Sequence, residues 1–249
     1  MKRSFLPAIA MAMSLTVPAQ ALDLGEMTSS EREAFRAEIR AYLLDNPEVI
    51  FEAVAVLEER QAEEEAKGDI DLVRANADAL FNDGHSWVGG NPDGDITLVE
   101  FLDYRCGYCR RAFADVTQLV ATDGNIRFVV KEFPILGEQS TLSSRFAIAT
   151  QQIAGDDAYK AVHDGLMSFN GDLNETTLRR LAGSMGYDAD AIIAHMDSDQ
   201  VSQVITANRE LGTAMKISGT PSFIMSDQVL RGYVPLDGMR QIVQDIRTQ

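Results

Sequence analysis

Two cysteines stand three positions apart in the segment DYRCGYCRR, and the chain contains no others. On a helix, positions i and i+3 share a face, so the sulfurs of Cys106 and Cys109 can meet. A cysteine at a helix start faces unpaired N–H groups and the positive end of the helix dipole, which favours the thiolate. Cys106 is therefore predicted to attack disulfides as the nucleophile. Cys109 is predicted to resolve the resulting mixed disulfide.

Three other uses of a CxxC pair suit this sequence less well. A disulfide between cysteines this close closes a very small loop and removes little entropy from the unfolded chain. A structural zinc site needs four ligands, and the chain offers two cysteines and three scattered histidines. Haem attachment requires CxxCH, but Arg110 follows Cys109. The pair is therefore predicted to be redox-active, with no metal and no cofactor.

Composition and the N-terminal segment indicate an exported protein. The formal net charge of −16 argues against nucleic acid or anionic lipid as a partner. Residues 1–21 combine Lys2 and Arg3 with a short apolar run and the ending AQA, which is typical of a secretory signal peptide cleaved after Ala21. Export would place the thiols where disulfides form and persist. No apolar run is long enough to span a bilayer, so no membrane insertion is expected after cleavage.

Residues 22–84 predict a helical arm. Ser30 and Glu33 match a capping box at the start of its first helix. Gly68 and the following aspartate are predicted to end the second helix, and a third helix is predicted over 70–81. The first two helices carry apolar stripes ahead of the first strand, and this apolar surface predicts self-association into a homo-oligomer.

From residue 85 the pattern becomes that of an α/β domain. The apolar run 96–104 is suited to a central buried strand and leads directly into the cysteines. A helical pattern follows, and NIRFVVKEFPIL supplies another strand, so the order is that of a parallel-sheet unit. Helical patterns fill residues from about 138 to 212 before strands return. There, GTPSF places Pro221 just before an apolar strand, which fits either a cis peptide bond in a tight turn or a trans proline at a strand's first residue.

Three segments, VEFLDYRCGYC, KEFPILG and GTPSF, together resemble the DsbA-like thioredoxin-fold proteins of the bacterial periplasm. The resemblance covers roughly residue 86 to the C-terminus. It implies an α/β thioredoxin fold over residues 85–249 with a helical domain inserted at about 138–212, preceded by the N-terminal helical arm. It also implies Cys106 as nucleophile, Cys109 as resolving cysteine and Pro221 as a cis-proline that helps to hold the substrate chain.

The same resemblance gives Glu100 a role. This residue lies six positions before Cys106 and matches a buried acid that many family members carry beneath the cysteines. A buried carboxylate can accept the proton of Cys109 during exchange. Strand alternation alone leaves open that Glu100 faces solvent, and either Lys131 or Glu132 could be its partner.

The residues that flank the thiols and the proline distinguish this chain from the DsbA oxidase. DsbA carries a histidine in the dipeptide, whereas Gly107 and Tyr108 form the dipeptide of the DsbC isomerase, and Thr220 before the proline is also isomerase-like. We therefore expect a weaker oxidant than DsbA. Tyr108 is expected to be exposed near the substrate groove, and Gly107 and Gly219 are placed with it as substrate-contacting residues. The helical arm resembles the oligomerising arms of the suppressor-of-copper-sensitivity C proteins.

The sequence thus predicts a periplasmic thiol-disulfide oxidoreductase that works as an isomerase or reductase. Its partners would be client proteins that contain cysteines and a membrane redox protein that keeps the pair reduced. One alternative is a DsbA-type dithiol oxidase, which runs the exchange in the opposite direction. Another is a copper-binding or chaperone-like module, because soft thiolates select Cu(I).

Overall fold

The computed structural model describes residues 27–248, which fall into two compact units. The first ends at Glu59 and the second begins at Arg60. This boundary lies inside a single long helix, α2 (Glu48–Ala75), which begins in the first unit and ends in the second. The predicted division at residue 84 was based on where the first strand pattern begins, and it stays a prediction.

The first unit contains helix α1 (Ser29–Asp45) and the start of α2. Its capping box is formed by Thr28 and Glu31, so the prediction of Ser30 and Glu33 is wrong by two residues. The Thr28 hydroxyl accepts from the Glu31 N–H at 3.3 Å, and the Glu31 carboxylate accepts from the Thr28 N–H at 2.8 Å. Both residue pairs match the capping pattern, and the helix uses the earlier one.

Helix α2 continues through Gly68, where the sequence predicted a break. A single glycine inside a helix costs only about 1 kcal/mol, which the rest of a long helix can offset. Asp69 is held by Arg231 through two hydrogen bonds of 2.7 and 2.8 Å. Asn76 ends the helix, with its side chain donating to the backbone carbonyl one turn earlier at 2.8 Å. The short helix α3 (Ala77–Phe81) follows.

The second unit is built on a five-stranded sheet with the strand order β1-β3-β2-β4-β5. Strands β2 and β3 run parallel, and every other neighbouring pair is antiparallel. The two parallel strands are buried on both faces, as their apolar sequences indicated. The strands are β1 (Trp87–Gly90), β2 (Ile96–Leu102), β3 (Ile126–Glu132), β4 (Ser222–Met225) and β5 (Gln228–Arg231).

The helices of this unit cover both faces of the sheet. What we call the first face packs mainly against α4, α6 and α10, and the second face packs against α3 and the residues that follow the last helix of the insertion. Five helices, α5 to α9, connect β3 to β4 within the span 138–214. The helices are α4 (Gly107–Asp123), α5 (Glu138–Ala154), α6 (Asp156–Ser168), α7 (Glu175–Ser184), α8 (Ala189–His195), α9 (Asp199–Ala214) and α10 (Leu236–Thr248).

The predicted fold class is confirmed, since a mixed α/β sheet is combined with a helical insertion and follows an N-terminal helical region. The predicted signal peptide at 1–21 lies outside the described residues. Within 27–248, none of the helices is both long and apolar enough to cross a membrane.

Candidate active site

Cys106 is the N-cap of α4. Its backbone is extended, with φ −75° and ψ 118°, and its sulfur accepts from the Cys109 N–H at 3.4 Å. The pKa of the Cys106 thiol is lowered to about 5. The largest cause is the hydrogen bond from the Cys109 thiol, and the backbone N–H groups of Cys109 and Tyr108 add to it. Cys106 is therefore a thiolate at neutral pH, and 7% of its surface remains exposed.

Cys109 lies one helical turn deeper and is fully buried. Burial raises the pKa of its thiol far above the ordinary value, and the hydrogen bond to Cys106 and the nearby Glu100 carboxyl raise it further. The two sulfurs thus differ in protonation although they are neighbours. One sulfur is ionised and slightly exposed, and the other keeps its proton beneath it.

The proline loop meets the cysteines from the far end of the chain. The Thr220–Pro221 peptide bond is cis, which is one of the two alternatives that the sequence left open. The Cys106 sulfur lies 3.1 Å from the Thr220 carbonyl oxygen, across 114 positions of sequence. Ser222 closes the loop by donating from its hydroxyl to the Gly219 carbonyl at 2.8 Å. A depression of about 200 Å³ is lined by this loop and Gly232.

The dipeptide between the cysteines is at the surface. Tyr108 is 62% exposed, which is high for a large aromatic side chain. A Cβ added to Gly107 would meet no atom within 4 Å, so the space above this residue is open. Both residues can therefore be reached by a substrate chain that approaches Cys106.

A buried carboxylate that the sequence analysis did not single out organises the approach to Cys106. Asp103 accepts hydrogen bonds from the backbone N–H groups of Arg105 (2.7 Å), Ile135 (2.8 Å) and Leu136 (3.0 Å). It thereby ties the loop before Cys106 to the loop after β3. The only sequence signal was an aspartate close to a helix start, a position where this residue type commonly binds backbone N–H groups.

Glu100 lies on β2 and is only 3% exposed, which excludes the alternative that it faces solvent. Its Oε1 atom has no hydrogen-bond partner among the described residues. Burial raises its pKa to about 8, and the negative charges of Cys106 and Glu132 contribute. The carboxyl group therefore holds a proton at neutral pH, close to both thiols.

Lys131 is not the partner of Glu100, so that alternative is wrong. Because side chains alternate along a strand, Lys131 points to the second face of the sheet, whereas Glu100 points to the first. Its ammonium group donates to the Asp83 carboxylate at 2.5 Å and to the Ala79 carbonyl at 2.7 Å. Lys131 thus fastens the segment around α3 to the sheet, away from the thiols.

Glu132 shares the first face with Glu100, and its charge adds to the raised pKa of that residue. It accepts hydrogen bonds from the hydroxyls of Tyr104 at 2.6 Å and Tyr159 at 2.7 Å. Burial nevertheless raises the pKa of Glu132 to about 7. The interaction between the two glutamates is therefore electrostatic, through a shared buried environment.

His163 completes this buried cluster, with its Nδ1 atom 3.1 Å from the Tyr104 hydroxyl oxygen. Burial lowers the pKa of His163 to about 3, so the ring is neutral. A sequence signal was available, because Tyr159 and His163 are four positions apart and therefore lie on one face of α6. What the sequence did not show is that this face meets β3.

Disulfide exchange needs one thiol that is ionised and attacks, and a second that is held in reserve with its proton. The two cysteines meet these needs beside the proline loop, which is an arrangement suited to disulfide exchange. A model of the DSBA-like thioredoxin domain matches residues 97–244, more than half of the chain. The chain therefore belongs to the DsbA-like thioredoxin family. A second model, for the N-terminal domain of the copper resistance protein ScsC, matches residues 31–64.

Solved structures agree with this assignment. A thioredoxin-like oxidoreductase from Silicibacter pomeroyi DSS-3 is 40% identical, with a TM-score of 0.65, and the match covers 69% of this chain and 98% of that one. Proteus mirabilis ScsC in a transitional conformation is 26% identical, with a TM-score of 0.64, over 90% of this chain and 98% of that one. A periplasmic thioredoxin-like protein from Salmonella enterica serovar Typhimurium is 25% identical, with a TM-score of 0.62, over 70% and 96%.

Curated relatives include longer proteins. The Na(+)/H(+) antiporter NhaA 3 of Salinispora tropica is 24% identical over 156 residues, which is 63% of this chain and 24% of the antiporter. This chain therefore spans about a quarter of the length of the first curated relatives that it matches. Within residues 27–248, no group of three or more His, Cys, Asp or Glu side chains is placed to hold a metal ion.

Proposed function

We propose that this protein is a periplasmic protein disulfide isomerase or reductase that uses Cys106 and Cys109. The observation that carries the proposal is the ionised, slightly exposed Cys106 sulfur above a fully buried, protonated Cys109. The Cys106 thiolate attacks one sulfur of a client disulfide, and the other client sulfur leaves as a thiolate. A second client thiolate then attacks the mixed disulfide and regenerates Cys106, which rearranges the client without net oxidation.

Cys109 can resolve the mixed disulfide instead of a client thiol. Its sulfur attacks Cys106 in the mixed disulfide and the client leaves as a thiol, so the client is reduced and the enzyme pair is oxidised. Before this attack Cys109 must lose its proton, and Glu100 is the proposed acceptor. Forming the mixed disulfide removes the negative charge of Cys106, which is one cause of the raised pKa of Glu100. The carboxyl group is then more readily ionised at the step in which it must take up a proton.

The neutral surroundings of Cys106 support isomerisation over oxidation. Its thiolate is stabilised by the Cys109 thiol and by backbone N–H groups, and the dipeptide between the cysteines contains no cationic side chain. Less stabilisation of the thiolate makes the disulfide form a weaker oxidant. A dithiol oxidase remains the alternative and predicts the opposite direction of exchange.

The first unit supports assembly into a homo-oligomer. Nine large apolar side chains are exposed there, and the most exposed, Phe51, shows 75% of its surface. Such a surface is a protein interaction site by default. Several active sites held in one assembly would retain a misfolded client while its bonds rearrange. The exposed residues are Phe35, Ile39, Tyr42, Leu44, Ile50, Phe51, Val54, Val56 and Leu57.

The proposed clients are exported proteins that contain cysteines, and a membrane thiol-disulfide protein is the proposed source of electrons. DsbA-like proteins work with partners of both kinds. The predicted signal peptide supports a periplasmic location. N-terminal sequencing of protein recovered from the periplasmic fraction should find Leu22 as the first residue, whereas an intact Met1 would contradict export by cleavage.

The central experiment is reactivation of scrambled ribonuclease by the reduced protein. Wild type should restore ribonuclease activity, and Cys106→Ala should reduce the rate to that of the uncatalysed reaction. Cys109→Ala should keep part of the activity, because a client thiol can still resolve the mixed disulfide. If the reduced protein gives no reactivation and the oxidised protein rapidly oxidises reduced ribonuclease, the isomerase proposal fails in favour of the oxidase.

The role of the arm is tested by the mass of the protein in solution. Light scattering on a size-exclusion column should give a multiple of the chain mass for the mature protein. A chain that begins at Arg60 should be monomeric and should lose reactivation of scrambled ribonuclease while keeping thiol exchange with a small disulfide. A monomeric mature protein would contradict assembly through the arm.

A further inference from the structure

A cavity of about 380 Å³ lies between α4, α6 and the first face of the sheet. Its walls are largely apolar and include Trp87, Val116 and Phe128, while Glu100 lies in its lining. The Trp87 ring is fixed against Gly89, where an added Cβ would come within 2.0 Å of it. This volume is within the range of about 300–1,000 Å³ that small-molecule sites occupy.

One buried polar group in the lining of this cavity, the Glu100 carboxyl, is unsatisfied. Oε1 of Glu100 is buried without a hydrogen-bond partner among the described residues. A buried polar atom left without a partner is destabilising, so a molecule that supplied a partner would bind more tightly. The function proposed above gives Glu100 a role in proton transfer and leaves the cavity itself without a role.

The cavity carries no net charge that would demand an ion. Glu100 holds its proton at neutral pH, and the neighbouring His163 is neutral because burial lowers its pKa. Lys160 also lines the cavity, but its ammonium group lies 2.5 Å from the Asp164 carboxylate. A charged ligand would thus lose its hydration and find no opposite charge to replace it.

We propose that this cavity binds a small neutral molecule with an apolar ring and one hydroxyl or amide group, and that this polar group pairs with the Glu100 carboxyl. Exposed residues of α4, Thr117 and Ala121, line the outer part of the cavity and mark its entrance. The ligand enters beside them and places its ring against Trp87. The site is separate from the surface on which Cys106 meets a client.

Binding has a consequence for catalysis, which rests on the proposed function. Glu100 is already buried, and a ligand in the cavity also displaces any water beside it, so this residue can no longer exchange its proton with water there. Glu100 then cannot release to water a proton that it has taken from Cys109, so it cannot accept the next one. Resolution of a mixed disulfide by Cys109 should slow, whereas the attack by Cys106 should keep its rate.

Two isomers serve as probes, benzyl alcohol with a hydroxyl donor and anisole with none. Trp87 is the single tryptophan of the chain, so its indole N–H gives one assignable signal in a ¹H–¹⁵N spectrum. Benzyl alcohol should shift this signal saturably and bind several-fold more tightly than anisole. Glu100→Leu should abolish the difference between the isomers, because the polar partner is gone while the apolar walls remain.

A pair of exposed helix positions tests the location. Ala121→Phe places a ring at the entrance and should abolish the saturable shift. Gln118→Phe adds the same ring at an exposed position of α4 that does not line the cavity, and it should leave binding unchanged. No saturable shift with either isomer, or binding that survives in Ala121→Phe, would overturn the proposal.

Kinetics separate this proposal from the proposed function. Benzyl alcohol should slow resolution by Cys109 in wild type and in Gln118→Phe, with no effect in Ala121→Phe. If the saturable shift is present and the protein shows no disulfide exchange without ligand, the proposed function fails while the binding site stands. If exchange is normal and the shift is absent, the binding site alone is overturned.

Discussion

Glu100 and Lys131 are ionisable residues on adjacent strands of one sheet, and both are buried. A buried charge is costly unless it is paired or neutralised. Lys131 is paired, with Asp83 and a backbone carbonyl within hydrogen-bond distance of its ammonium group. Glu100 instead stays neutral by holding a proton, and one of its oxygens has no partner among the described residues.

This difference separates a structural ionisable group from one that is free to react. The contacts of Lys131 are complete, so a change of its charge state would break them. Glu100 has no ion pair to break, lies close to two thiols and borders a cavity, so a change of its protonation state breaks no contact. Opposite consequences of substitution at the two positions follow from this contrast.

The largest effect is expected from Lys131→Met. It leaves the carboxylate of Asp83 largely buried without its cation and should lower the free energy of unfolding by about 3–5 kcal/mol. Urea unfolding followed by circular dichroism measures this loss. The double variant Lys131→Met, Asp83→Asn should recover part of it, because the unpaired charge is removed. A loss below about 1 kcal/mol would show that the pair is not needed for the fold.

Glu100→Leu should act in the opposite direction on stability. Removing an unsatisfied buried carboxyl should raise the free energy of unfolding by about 1–3 kcal/mol. Resolution of a mixed disulfide by Cys109 should slow about 100-fold, the typical contribution of a general base. Quenched-flow measurement of client release reports the rate, and Cys106 alkylation at neutral pH should be unchanged. If Glu100→Leu is less stable than wild type and Cys109 resolves the mixed disulfide at the normal rate, the proposed contrast between Glu100 and Lys131 is wrong.

Stability should depend on pH through Glu100. Its pKa is about 8 in the folded protein against an ordinary 4.5, so the unfolded chain loses this proton first as pH rises. The contribution of Glu100 to stability is therefore fully present below pH 4.5 and is lost as pH rises to about 8. Across that window, the free energy of unfolding of Glu100→Gln should rise relative to that of wild type by up to about 1.4 kcal/mol per pH unit. A pH-independent difference would contradict the raised pKa.

Smaller effects are expected from the hydroxyls that bind Glu132. Tyr104→Phe and Tyr159→Phe each remove one of two donors to a carboxyl group that the remaining donor still serves, so each should cost about 1–2 kcal/mol of unfolding free energy. The pKa of Cys106, followed by thiolate absorbance, should be unchanged in both variants. A shift of that pKa in Tyr104→Phe alone would place the cluster within the active site.

Much of the site could be predicted from local chemistry in the sequence. The spacing of Cys106 and Cys109 and their place after an apolar strand were enough to predict a thiolate at a helix start, since N-capping is a local interaction. The buried strand β2 was equally readable from its apolar residues. Asp103 was missed because its three hydrogen bonds include two to a loop more than thirty positions away.

The long-range pairings were decided by tertiary structure. Alternation along a strand states which residues share a face, but it does not state which face receives α4. The parallel register of β2 with β3 sets Glu132 on the side of Glu100 and Lys131 on the other side. Likewise, the contact of Thr220 with Cys106 depends on how the helical insertion returns the chain to β4.

The sequence by itself determined the α/β class and the family, and it predicted the redox pair, because these depend on residue types at short spacings. Tertiary structure alone decided which buried acid remained without a partner, which lysine was paired, and that a cavity opens beside that acid. The physical reason is that the pKa of a buried group depends on how much water packing removes and which charges it brings near, and both come from distant parts of the chain.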